Sequence, residues 1–323
     1  MSSIYRRGLI GTLLILLATV GRAEFLDVDV PLFDENVPES RVVQREQGIY
    51  PQIRRVESQY FAVALARALV QTGEWGAVRV VPARDASAEL TVAGRILRSD
   101  GRELELAIDA VDATGERWLA KTYYLATPVA LETGISVLAV DKADPDALNP
   151  LFERIVQDLL AGLAKRSDAQ RTRIREVSLL RYAAALVSNP FADYLEELPA
   201  GALAEAAAEA SGAPPAAIAP VRYRAVRLPA EDDPMVRRIR RVRLTEQQLK
   251  DTSNQLYGRA VDDIASGYET WRRYNAQQLA YVEDREARLS DVDKKERKRR
   301  RKARSYASYK QSYEDYRWAK EQE

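Results

Sequence analysis

Residues 294–304, Lys-Lys-Glu-Arg-Lys-Arg-Arg-Arg-Lys-Ala-Arg, place nine cations in eleven positions: Lys294, Lys295, Arg297, Lys298, Arg299, Arg300, Arg301, Lys302 and Arg304. A run of that density suits one chemistry, the neutralisation of a polyanion. Immediately after it come Tyr306, Tyr309, Tyr313 and Tyr316, spaced three, four and three, with Trp318 close behind. On a helix these tyrosines line one stripe. Aromatic rings with a polar edge suit a protein interface or the head-group zone of a membrane. The plainer readings are a solvated charged surface for the first run and packing on another helix of the same chain for the second. Positive charge on every side leaves residues 294–304 no apolar face with which to insert into a bilayer.

Other chemistry is restricted by what is missing. The chain has no cysteine and no histidine, so thiol nucleophiles, disulfides, Ser-His-Asp triads and the commonest metal ligand are all unavailable. A pair of carboxylates could still act as general acid and base, as in glycoside hydrolysis. With 48 acidic residues, no pair stands out by position. The expectation is a protein that is not an enzyme and needs no cofactor, with a carboxylate-dependent polysaccharide hydrolase as the alternative.

The compartment narrows the choice of polyanion. Arg6 and Arg7 precede an uncharged apolar run over residues 8–20, and Gly21-Arg22-Ala23 offers small residues where a signal peptidase reads. Residues 1–23 therefore read as a signal peptide cut between Ala23 and Glu24, giving a periplasmic protein. The 13-residue run is short for a membrane span, which needs about 20 apolar residues, although an uncleaved anchor is the alternative. Export disfavours nucleic acid and leaves anionic lipid, lipopolysaccharide or acidic protein surfaces as partners of the basic run. The lack of cysteine also removes the acyl-anchored lipoprotein route. From Pro234 onward there are 23 basic and 15 acidic residues, a net of +8. Residues 24–233 carry −10, so an acidic body bears a basic tail.

Several elements must hold these residues in place. Leu26, Val28, Val30 and Leu32 alternate as in a half-buried strand, with Pro31 marking its end or an edge. Ile53, Val56, Tyr60, Val63, Ala64 and Leu69 form a helical stripe closed by Gly73. Strand patterns follow at residues 77–81, 89–97, 103–111 and 117–125. The turns Ser99-Asp100-Gly101-Arg102 and Asp112-Ala113-Thr114-Gly115 predict that the last three form an antiparallel meander. Residues 126–150 read as an irregular connection, and helical periods return at residues 151–163 and 169–187. The order β-α-β-β-β-α gives an α+β class, a small sheet covered by helices, over residues 24–198.

Within that order, Thr72-Gly73-Glu74-Trp75-Gly76-Ala77-Val78-Arg79-Val80-Val81 ends the first helix and opens a strand. Ala88-Glu89-Leu90-Thr91-Val92-Ala93-Gly94-Arg95-Ile96 and Asp109-Ala110-Val111-Asp112-Ala113-Thr114-Gly115-Glu116 follow in the meander. Over roughly residues 25–165 the chain thereby resembles the domain shared by the amino-terminal part of TolB, curli-secretion lipoproteins and auxiliary lipoproteins of envelope transporters. The resemblance implies binding to other envelope proteins and offers no catalytic residues to carry over. The missing lipid-bearing cysteine is a departure from many members.

Residues 199–233 begin as an Ala/Pro-rich linker, and residues 234–323 read as a long helical tail. Past Pro234 there is no proline, and only Gly258 and Gly267 interrupt a helical composition. Val261, Tyr268, Val282 and Leu289 share one heptad position, and Ile264, Trp271 and Val292 share the one three further on. Tyr268 and Trp271 thus join the basic and tyrosine residues as candidate interaction residues, for a partner helix, the chain's own body or a second copy. Together these features lead to a non-catalytic periplasmic adaptor acting through protein–protein contacts, with a lipopolysaccharide- or lipid-binding module as the alternative.

Overall fold

The computed structural model describes residues 25–126, 147–187, 191–198, 221–230 and 232–320. Residues 1–24, on which the expected signal peptide and its cleavage between Ala23 and Glu24 fall, most of the irregular connection and the Ala/Pro-rich stretch 199–220 lie outside the described residues. The fold is α+β, as the element order predicts.

β1 (Val28–Pro31) lies between β2 (Val78–Val81) and β3 (Leu90–Ser99) and runs parallel to both. β4 (Glu103–Asp112) and β5 (Arg117–Ala126) extend the sheet to the order β2-β1-β3-β4-β5. From β3 to β5 the pairing is antiparallel, the predicted meander. Its first turn is built as the sequence implies: Asp100 Oδ1 accepts the amides of Arg102 and Glu103 at 3.0 and 2.8 Å, and Gly101 takes a φ of 87°. Pro31 ends an inner strand. The amides of Val28 and Leu32 point to β2, so the missing N–H of Pro31 falls on the β3 side, where register stops after Asp29. β1 was expected to be half-buried; all four of its residues are buried, because its second face is covered as well.

α1 (Arg41–Glu46) is a short helix that the sequence pattern does not reveal. α2 (Pro51–Thr72) connects β1 to β2 and ends at Gly73 in the left-handed conformation, with a φ of 70°. α3 (Asn149–Ala164) packs beside it. Phe61, Leu65 and Leu69 of α2 and Phe152, Ile155 and Leu159 of α3 meet Val30, Leu90, Leu106 and Ile108 of the sheet in one core. α4 (Asp168–Leu186) starts with a capping box between Ser167 and Gln170 and ends in a satellite cluster around Leu180, Tyr182 and Phe191. β6 (Leu195–Leu198) and β7 (Arg222–Ala225) pair antiparallel, which brings the two ends of the Ala/Pro-rich stretch side by side.

The last element, α5 (Pro234–Lys320), is a single helix of 87 residues. Its first part belongs to the body. Val236 and Ile239 complete the satellite cluster, and Val261 and Tyr268 enter the main core. Burying four such side chains contributes roughly 6–12 kcal/mol as an upper estimate, comparable with the whole stability of a typical domain. The boundary suggested by the Ala/Pro-rich stretch therefore does not separate two independent units.

Candidate functional site

What positions the basic run is the docking of α5, and that docking rests on three groups of contacts. The first is at the sheet edge. β2 is an outer strand, and an outer strand exposes alternate amides. The Val80 amide donates to Asn254 Oδ1 at 2.9 Å, so a side chain of α5 takes the place of a sixth strand. Beside it, Arg79 bridges Asp27 at 2.8 Å and Asp251 at 2.5 Å.

The second group fills a small polar cleft under residues 243–250 of α5. Lys250 Nζ meets Asp29 at 3.0 Å and Asp85 at 2.5 Å, and Arg243 donates to Ser178 Oγ at 2.6 Å, which in turn donates to the Ser87 carbonyl. Burial pushes the Asp29 carboxyl above its ordinary value against the opposing pull of Lys250. Asp85 is buried too, but its bonds from Lys250 and Ser87 outweigh that and hold it below the ordinary value. For Lys250, burial is outweighed by the two carboxylates, which keep its ammonium above its usual pKa. The cleft also contains Glu89, raised by burial, so acids with separated affinities for protons do lie together. The cavity volume of about 20 Å³ holds a single water and no sugar ring. Asp27, Asp29 and Asp85 face cations of the same chain, and Glu89 accepts the Asp27 amide at 3.0 Å. Among the described residues, no group of three or more acidic residues is arranged to hold a metal.

The third group is a buried polar cluster between α2, α5 and the end of β3. Glu57 is fully buried. Its Oε1 accepts from Tyr268 Oη at 2.9 Å and from Ser99 Oγ at 2.5 Å, and its Oε2 faces Arg54 at 3.2 Å. Burial raises the carboxyl of Glu57 and, together with the nearby Glu57 charge, raises the phenol of Tyr268. The Tyr268 ring stacks on Trp271 at 6.0 Å and meets Tyr60 at 4.8 Å. The β3–β4 turn completes the seat: Asn275 donates to the Asp100 carbonyl at 2.7 Å, and Arg102 pairs with Glu283 at 2.5 Å. A Cβ on Gly101 would overlap the Arg272 carbonyl, so glycine serves close approach here as well as positive φ.

The predicted residues therefore divide. Tyr268 and Trp271, for which the sequence leaves open a partner helix, a second copy or the chain's own body, are used within the chain: Tyr268 is 4% exposed, and Trp271 packs against the same core. The reason is that the heptad seam meets its own body first. Val261 is buried, whereas Val282, next to the Arg102–Glu283 pair, and Leu289 and Val292, further along, are 48–58% exposed. Lys294, Lys295, Arg297, Lys298, Arg299, Arg300, Arg301, Lys302 and Arg304 are exposed on the free part of α5. Among the described residues, only Lys294 and Arg300 of this run have an acidic partner, Asp291 and Glu296 respectively. Tyr306, Tyr309, Tyr313 and Tyr316 lie on the helical backbone, and their side chains fall outside the described residues. No family model, curated protein or solved structure matches the chain.

Sequence reasoning missed the seat itself. Asp29, Asp85 and Lys250 carry no spacing signal, being far apart in the chain. Glu57 did carry one: it stands four residues from both Ile53 and Phe61, a charge within an apolar face that calls for a buried partner.

Proposed function

We propose that the protein is a non-catalytic adaptor of the bacterial cell envelope, acting in the periplasm. The body docks one envelope protein, and the free part of α5 engages a second partner at a distance. The observation that carries this reading is the division of α5. Residues 236–283 are seated on the sheet edge, the cleft and the β3–β4 turn, and the residues beyond Glu283 leave the body as a continuous helix. At 1.5 Å per residue, residues 284–320 extend about 55 Å. The resemblance of residues 25–165 to envelope accessory domains favours this setting, as does the export segment. The polar cleft does not favour the hydrolase alternative, since it has no room for a sugar and its acids are occupied.

The test is crosslinking and co-purification with two chains, full-length and lacking residues 284–323. A cut at residue 233 would instead remove Val236, Ile239, Val261 and Tyr268 from the core and confuse unfolding with loss of a partner. The shorter chain should retain partners of the body and lose those of the arm. Identical recovery of every partner by both chains would sink the reading.

A further inference from the structure

We infer that the free arm of α5 is a peripheral membrane contact, reading the phosphate-bearing head groups of an anionic phospholipid bilayer through residues 294–304. The inference deepens the adaptor reading by giving the arm's partner a chemistry.

Four observations lead there. First, the basic run stands clear of the body. It begins 11 residues past Glu283, about 16 Å along the helix axis, so the acidic body of the same chain does not cover it. Second, its charge is unspent: among the described residues, Lys295, Arg297, Lys298, Arg299, Arg301, Lys302 and Arg304 have no ion-pair partner. Third, the charge has no preferred side. Residues 297–302 are six consecutive cations, and steps of about 100° carry them right round the helix. A pocket or an acidic groove on a protein would be matched by one charged face, whereas an extended lawn of phosphates is met by any rotation of this helix. Fourth, the same helix continues into tyrosines at spacings of three, four and three and then Trp318, the residue types that favour the head-group zone. With no apolar face in residues 294–304, the arm rests on the surface. No helix among the described residues is long and apolar enough to cross a membrane.

The test uses the full chain and a six-substitution variant, Lys295→Gln, Arg297→Gln, Lys298→Gln, Arg299→Gln, Arg301→Gln and Lys302→Gln. Glutamine keeps helix propensity, the altered residues are exposed, and both chains retain the apolar segment 8–20, so any binding through that segment is common to both. Co-sedimentation is measured with vesicles of one part phosphatidylglycerol to three parts phosphatidylcholine, with pure phosphatidylcholine vesicles, and with duplex DNA. The parent should partition onto the anionic vesicles at least about a hundredfold more strongly than the variant, with no difference on pure phosphatidylcholine. Its partitioning should also fall more than about tenfold as salt rises from roughly 0.05 to 0.5 M. Equal partitioning of the two chains, a flat salt response of the parent, or tighter binding to DNA than to anionic vesicles at one ionic strength would each overturn the inference. Self-association of the parent through the arm, without lipid and abolished in the variant, would overturn it as well. Partner recovery in the truncation experiment is a separate readout: a chain that fails on vesicles yet loses partners with its arm removes this inference and leaves the adaptor reading in place.

Discussion

The Glu57 cluster makes a sharp prediction because one buried oxygen serves two donors. Tyr268 Oη and Ser99 Oγ both donate to Glu57 Oε1. Tyr268→Phe removes one donor and keeps the ring contacts with Tyr60 and Trp271; Ser99→Ala removes the other. Each single change leaves Oε1 with a partner and should cost about 1 kcal/mol, the net worth of an ordinary hydrogen bond. The double variant leaves a fully buried carboxylate oxygen bare, and its cost should reach about 3 kcal/mol or more, the desolvation of an unsatisfied charged acceptor. The coupling of at least about 1 kcal/mol is read from urea denaturation of the four chains at pH 7. The dependence on pH follows from the raised affinity of Glu57 for its proton. An acid whose folded pKa lies above its unfolded value contributes stability that is fully present below about 4.5 and is lost as pH rises through the folded value. Both hydroxyls lower that folded value, so the double variant raises it further. Its penalty should therefore be smaller at pH 5 than at pH 7. Additivity within about 0.3 kcal/mol, or a penalty that grows on acidification, would refute the account of how α5 is held.

Three further outcomes test the rest of the seat. Asn254→Ala bares the Val80 amide and should cost about 1–3 kcal/mol, with hydrogen exchange at Val80 quickening more than at Val28 in the neighbouring strand. Lys250→Met leaves Asp29 and Asp85 facing each other without their cation; it should destabilise by about 2–4 kcal/mol, and adding Asp29→Asn should recover part of that loss in the same melt. Deleting residues 284–323 should leave the melting temperature within about 2 °C of the parent, since the removed part lies beyond the last body contact among the described residues, while small-angle scattering shows the longest dimension shortened by tens of ångströms.

Local patterns made the sheet and its helices legible. Alternation at Val28 and Val30, the Asp-Gly turn at residue 100 and the glycine at residue 73 each act within a few residues of themselves, so their consequences are written beside them. The second covering of β1 was not legible, because Asp29 alternating with valines looks like a solvent-facing position until Lys250, 221 residues away, is brought to it. The stripe expected on α2 was also too narrow. Tyr60 and Ala64 are only partly buried and Phe61 and Leu65 are wholly buried, since α2 is packed by the sheet, by α3 and by α5 together. The heptad seam of α5 was visible, but a seam records only that something apolar lies opposite. It cannot say whether the body or another molecule supplies it, and along this helix the answer changes near residue 282.

An unbroken helix between the β3–β4 turn and the basic run also fixes their angular phase. Inserting one residue after Glu283 would advance everything beyond it by about 1.5 Å and turn it by about 100°, whereas seven residues nearly restore the bearing and only lengthen the reach. The all-round cations would be indifferent to such a turn, but a one-sided row such as the positions of Tyr306, Tyr309, Tyr313 and Tyr316 would not. A ladder of insertions of one to seven residues would thus sort the contacts made by the arm into those that need only distance and those that need a compass direction set by the body.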